Sequence, residues 1–149
     1  MIKCIIVEDE ILAQQVIQNH LEKLNSFELV GVCSNTQEAR DLLNKQEVDL
    51  IFLDIQLPGM TGLNFLRSLP AHPPVVLTTA YAEYALESYD FNVIDYLLKP
   101  ISFERFSKTI NKILSDKLIT NPKENKKSDH IFVKSNGKFL KINTETKSK

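Results

Sequence analysis

Three carboxylates carry the chemistry this chain can be expected to perform. Asp54 closes the run Val48-Asp49-Leu50-Ile51-Phe52-Leu53-Asp54, and Pro58-Gly59 follows four residues later. Glu8 and Asp9 close a second apolar run, Ile2 to Val7. Brought together, these acids repel one another and need a cation; hard oxygen donors with room for water suit Mg2+. A carboxylate neutralised in this way can attack phosphorus and become an aspartyl phosphate. The charge on a phosphoryl group in transfer then calls for a cation and hydrogen-bond donors around it. Thr79 offers a hydroxyl and Lys99 an ammonium, each at the end of a later apolar run. Pro100 follows Lys99 directly, and a cis bond between them is expected from a strand-to-helix turn. Plainer roles compete with these: Asp54 or Thr79 as helix caps, Glu8 as a surface acid, Lys99 as a solvated surface cation.

The elements that must position these groups alternate. Strands are expected at Ile2–Val7, Glu28–Cys33, Val48–Asp54, Pro74–Thr78 and Val93–Leu98, and their continuous apolar character marks strands covered on both faces. Ala13, Val16, Ile17, His20, Leu21 and Leu24 recur as one face of a first helix. Ser34, Asn35 and Thr36 offer N-caps for a second, which carries Ala39, Leu42 and Leu43. Gly62 to Leu69 makes a third, Tyr81 to Tyr89 a fourth, and Ser102 caps a fifth that buries Phe103, Phe106, Ile110, Ile113 and Leu114. Five such β-α units predict an α/β fold, a doubly wound parallel sheet of the flavodoxin-like type with strand order 2-1-3-4-5. In that order strands 1 and 3 are neighbours, so Glu8, Asp9 and Asp54 meet in the crevice at the carboxyl ends of the strands.

Composition is that of an ordinary globular chain, with 149 residues for one domain and a short appendage. No apolar stretch approaches the ~20 residues of a membrane span, and no basic-then-apolar leader precedes the first strand, so a cytoplasmic protein is expected. Cys4 and Cys33 lie inside apolar runs and read as buried reduced thiols. His20, His72 and His130 show no ligand spacing. Residues 1–116 hold 9 Lys and Arg against 16 Asp and Glu, a net of −7, whereas residues 117–149 hold 9 against 3, a net of +6. The acidic body suits a cation; the basic tail suits a polyanion or serves solubility alone. Residues 119–129 read as a polar linker. His130 to Ile142 reads as a hairpin turning at Asn136-Gly137, with a polar, disordered end to the chain expected after it.

Four segments, in order, resemble the receiver domains of two-component response regulators over residues 1–118: Ile6-Val7-Glu8-Asp9, Leu53-Asp54-Ile55-Gln56-Leu57-Pro58-Gly59, Thr79-Ala80 and Asp95-Tyr96-Leu97-Leu98-Lys99-Pro100. The resemblance implies that Asp54 accepts a phosphoryl group from a sensor histidine kinase. It implies Mg2+ held directly by Asp9 and Asp54, through water by Glu8, and by the backbone carbonyl of Gln56. Thr79 and Lys99 would hold the phosphoryl oxygens, and Tyr96 would be the aromatic switch. The fourth helix, fifth strand and fifth helix would then form the face that changes. Glu83, Tyr84, Glu87, Tyr89 and Phe91 are candidate contacts there, and a receiver homodimer could form through it.

Thr78 to Leu86 and Asp95 to Ile101 are further similar to the LytTR branch, whose receivers precede a β-rich DNA-binding domain. Residues 130–149 are similar to the opening of that domain only, so a truncated chain is expected. DNA binding, and transcription regulation with it, would require the missing remainder.

Two other classes of function compete. An aspartyl-nucleophile phosphatase needs a second acid two residues after the nucleophile, where this chain has Gln56, and a cap that the chain has no room for. An FMN binder would have to accommodate the cofactor phosphate at Glu8-Asp9-Glu10, which repels it.

Overall fold

The structure, a computed structural model, describes residues 1–83 and 92–115. Five strands, β1 (Ile2–Val7), β2 (Phe27–Cys33), β3 (Leu50–Asp54), β4 (Val75–Thr79) and β5 (Val93–Leu98), form one parallel sheet in the order β2-β1-β3-β4-β5. Among the described residues four helices accompany them: α1 (Ile11–Glu22), α2 (Thr36–Lys45), α3 (Gly62–Ser68) and α4 (Phe103–Ser115). The flavodoxin-like arrangement expected from the sequence is therefore the one observed. α4 is the fifth of the expected helices. The fourth begins at Ala82 and Glu83 as a 3-10 turn, and the rest of it lies outside the described residues. Tyr84, Glu87, Tyr89, Phe91, the linker and the hairpin at 130–142 lie outside them too. No helix among the described residues is long and apolar enough to cross a membrane.

Alternation along each strand explains the apolar runs. Ile6, Phe52, Val76 and Leu97 point to one side of the sheet and pack with Ile17 and Leu21 of α1 and Phe106, Ile110 and Ile113 of α4. Ile5, Val7, Ile51, Leu53, Val75 and Leu77 point to the other and pack with Ala39 of α2 and Leu63, Phe65 and Leu66 of α3. Because each strand is covered twice, both of its side-chain rows must be apolar.

Details differ from the expectation. β3 begins at Leu50, two residues later than expected, and just before it the Asp49 carboxylate accepts from the Lys3 backbone N–H at 2.9 Å. β2 begins one residue early at Phe27, and β4 starts and ends one residue later than expected, from Val75 to Thr79. Leu114 and Val16 are expected inside but are exposed, while Thr109 of α4 is buried. The apolar face of α4 is centred on Phe106, Ile110 and Ile113, and Leu114 falls at its edge. Of the three capping candidates for α2, Asn35 serves: its Oδ1 accepts from Glu38 N at 2.8 Å, while Glu38 Oε1 accepts from Ser34 N at 2.7 Å. Thr61 Oγ1 caps α3 and Ser102 Oγ caps the start of α4, each accepting a backbone N–H at 3.1 Å.

Candidate acidic cation site

Parallel strands deliver their carboxyl ends to one edge of the sheet, and β1, β3, β4 and β5 each bring a polar group there. Val7 pairs with Leu53, and Asp54 with Thr78, so Glu8 and Asp54 leave neighbouring strands side by side. Glu8 is 1 % exposed and Asp54 4 %, whereas Asp9 lies on the rim. One oxygen from each of Glu8, Asp9 and Asp54 can be chosen so that all lie within 4.8 Å of one another.

One cation serves the two buried acids. Lys99 Nζ stands 3.1 Å from Asp54 Oδ2 and 2.7 Å from Glu8 Oε1. The first contact is a hydrogen bond, and the second is a short ion pair. Burial pushes the Glu8 carboxyl up to about 7, with the nearby Asp54 charge adding to the rise and Lys99 opposing it. Burial works to lower Lys99, but Glu8 and Asp54 outweigh it and hold the ammonium above its ordinary value. The set is short of positive charge: two buried carboxylates and a third at the rim share one ammonium. Such a donor set, all hard oxygen with one side open at Asp9, fits a small divalent cation.

The backbone braces these acids. Asp54 Oδ1 accepts from Gln56 N at 3.0 Å, and Glu8 Oε2 from Glu10 N at 3.1 Å. Gln14 Nε2 of α1 donates to the Glu8 carbonyl at 2.6 Å, a contact six residues apart that no periodicity signals. After Asp54 the chain turns at Gly59, whose φ of +80° lies in the left-handed region that glycine favours. It returns so that Gly62 N donates to Ile55 O at 2.7 Å. A Cβ at Gly62 would collide with the carbonyl oxygen of Asp54 itself, so this glycine sets how closely α3 approaches the acid.

Thr79 ends β4 fully buried; its Oγ1 accepts from Tyr81 N at 3.0 Å and donates to Tyr81 O at 3.4 Å. The Lys99–Pro100 bond is cis, as the sequence suggested. Tyr96 sits apart from the acids with its side chain 37 % exposed, on the edge strand β5. The structure thus gathers Glu8, Asp9, Asp54 and Lys99, sets Thr79 and Gln56 beside them, and leaves Tyr96 facing outward. Cys4 and Cys33 are buried free thiols, raised chiefly by burial to about 12 and about 11, as inert core thiols should be.

A second charged cluster, not singled out in the sequence, surrounds the backbone of Tyr96. Arg105 of α4 meets Asp95 with both terminal nitrogens, at 3.2 and 3.0 Å, and donates to the Tyr96 carbonyl at 3.0 Å. Thr109 Oγ1 donates to Asp95 at 2.7 Å, and Tyr96 N donates to Asp95 Oδ1 at 2.8 Å. Burial works against the Asp95 charge, but the Arg105 and Thr109 hydrogen bonds outweigh it and hold the carboxyl below its ordinary value. An acid inside an otherwise apolar strand was the available signal.

Comparison with known proteins agrees with this arrangement. Residues 4–111 match the family model of the response regulator receiver domain. An uncharacterized response regulatory protein of Shewanella oneidensis is 38% identical over 118 residues, covering 78% of this chain and 50% of that protein. The transcriptional regulatory protein BtsR of Escherichia coli K12 is 40% identical over 119 residues, covering 78% and 50%. Among solved structures, the response regulatory domain of MrkE from Klebsiella pneumoniae is 32% identical with a TM-score of 0.70, covering 77% of this chain and 97% of that one. The chain spans about half the length of the curated relatives it matches. Sequence motifs, strand order and the acidic cluster at the strand ends converge on one assignment: the chain belongs to the response regulator receiver family.

Proposed function

We propose that this chain is a phosphorylation-controlled switch in which Asp54 accepts a phosphoryl group from the phosphohistidine of a sensor kinase. An oxygen of the Asp54 carboxylate attacks phosphorus, the P–O bond forms as the P–N bond breaks, and the imidazole leaves with a proton from solvent. The observation that carries this reading is the buried Asp54 carboxylate, held by Gln56 N and Lys99, beside two further acids at the open end of the sheet. Asp9, Asp54 and the Gln56 carbonyl, with Glu8 behind them, would hold Mg2+, which supplies positive charge for the transferring phosphoryl group. Lys99 keeps its charge and can follow the new phosphoryl oxygens. Thr79 would exchange its bonds to Tyr81 for one to the phosphoryl group, and Tyr96 would turn from its outward position. That change biases the face made by the expected fourth helix, β5 and α4 toward a second arrangement.

In this reading the module acts on itself and turns over no free substrate. Residues 1–118 form the receiver, 119–129 a linker and 130–149 the start of a LytTR-like output domain, in a cytoplasmic protein that regulates transcription through that domain. One relative bears the name of a transcriptional regulatory protein, which supports this output. The switching face also suits a receiver homodimer. Incubation with a small phosphodonor and Mg2+ tests the core of the proposal: wild type should take up acid-stable, base-labile phosphate. Equal labelling of Asp54→Asn would overturn it.

A further inference from the structure

Among the described residues three buried side-chain polar atoms make no hydrogen bond: Glu8 Oε1, His20 Nδ1 and Thr78 Oγ1. The first faces the Lys99 ammonium at 2.7 Å. The second belongs to a ring whose other nitrogen is bonded to Ile101 O at 2.8 Å and which packs against Phe103 and Phe106. Thr78 has no such compensation. It is 1 % exposed, and its hydroxyl makes no hydrogen bond.

Its position gives that hydroxyl meaning. Thr78 is the register partner of Asp54 across the β3–β4 ladder. Two residues earlier, the paired Phe52 and Val76 belong to the same core cluster, and with a side-chain period of two Asp54 and Thr78 also share a face. The strands lie about 4.8 Å apart, so Thr78 and Asp54 are lateral neighbours across the ladder. Valine has the same shape and would leave no unsatisfied group, and the residues before Thr78 in β4 are Val75, Val76 and Leu77. The adjacent Thr79 differs in kind: its hydroxyl is already engaged by Tyr81 on both sides. Asp54 is engaged as well, Oδ1 by Gln56 N and Oδ2 by Lys99.

We infer that Thr78 is a positioning residue whose hydroxyl is used only when Asp54 carries a phosphoryl group; this rests on the phosphoacceptor reading above. Esterification moves the negative charge of Asp54 onto three phosphoryl oxygens, and Lys99 follows it. The Asp54 side-chain oxygen that Lys99 relinquishes then accepts from Thr78 Oγ1. One hydroxyl thus passes from unpartnered to partnered as the switch is set, which favours the phosphorylated arrangement.

The test compares wild type, Thr78→Val and Thr78→Ser in binding beryllofluoride, a phosphoryl mimic, with Mg2+, and in urea unfolding without either. Thr78→Val should weaken beryllofluoride roughly fivefold or more, the worth of one ordinary hydrogen bond, while its unfolding midpoint equals or exceeds that of wild type. Thr78→Ser should bind like wild type. Unchanged binding by Thr78→Val overturns the inference. So does weakened binding by Thr78→Ser to the level of Thr78→Val, which would trace the effect to shape. A lower midpoint for Thr78→Val in the absence of mimic overturns it too, because the hydroxyl would already be in use. Failure of wild type itself to bind beryllofluoride or take up phosphate is a separate result, and it strikes at the phosphoacceptor reading.

Discussion

Two clusters of acid and base involve β5, one within the strand at Asp95 and one just past its end at Lys99, and they are built to opposite rules. Around Asp95 one carboxylate meets one guanidinium in a two-pronged pair, with Thr109 and Tyr96 N filling its remaining lone pairs. Around Asp54 two buried carboxylates and a rim acid share the single ammonium of Lys99. The first cluster is balanced, and its acid is held below the ordinary carboxylate range; the second is not, and burial drives Glu8 up to about 7. A balanced cluster closes an edge strand and fixes a helix against it. An unbalanced one is tolerated where a cation and a phosphoryl group are to come and go.

Substitutions can break this contrast. Asp54→Asn should lower phosphodonor labelling by roughly a hundredfold or more, since it removes the nucleophile. Arg105→Ala should leave labelling of Asp54 in place, and labelling lost equally in both variants would erase the distinction. Gly62→Ala should cost about 1–3 kcal/mol in urea unfolding, because the collision is with the Asp54 backbone and not with a yielding side chain. Arg105→Ala should cost less, about 1–2 kcal/mol, as the guanidinium is over a third exposed and screened by solvent.

Smaller effects sharpen the comparison. At ten times its dissociation constant, Mg2+ should stabilise wild type by about 1.4 kcal/mol, and Asp9→Asn by clearly less, measured by unfolding with and without a chelator. The same metal should do nothing at the Asp95 cluster, where no further acid lies open among the described residues. Asp95 supplies the least effect, a pH dependence. Its folded carboxyl titrates below the unfolded one, so the pair contributes its stability above about pH 4 and loses it as pH falls through the folded value. The stability gap between wild type and Asp95→Asn should therefore be full at neutral pH and close in acid. A gap that instead widens below pH 4 would contradict the assignment of Asp95 as the balanced acid.

Much of the site could be read from the chain. Glu8, Asp9, Asp54, Thr79 and Lys99 each close a run apolar enough to be a doubly covered strand, and parallel pairing leaves their positions little freedom. Helix faces were legible in the same way, but only where the stripe is centred: Phe106, Ile110 and Ile113 are buried, while Leu114 at the stripe's margin is exposed. The Asp95 cluster was not legible, because Arg105 and Thr109 look like ordinary polar residues of a surface helix until β5 is laid beside them. Thr78 was hidden for a related reason. Nothing in its type separates it from Thr79, and only the ladder shows which of the two stands level with Asp54.

By itself the sequence determined the alternation of elements, the order of the sheet and which acids meet, because side-chain periodicity and short right-handed crossovers allow few alternatives. Tertiary structure alone decided the charge balance. Whether an acid is paired, shared or stranded depends on distances of a few ångströms between residues as far apart as Glu8, Asp54 and Lys99, and on their removal from water. Local pattern carries neither quantity, and both set the energy of a charge.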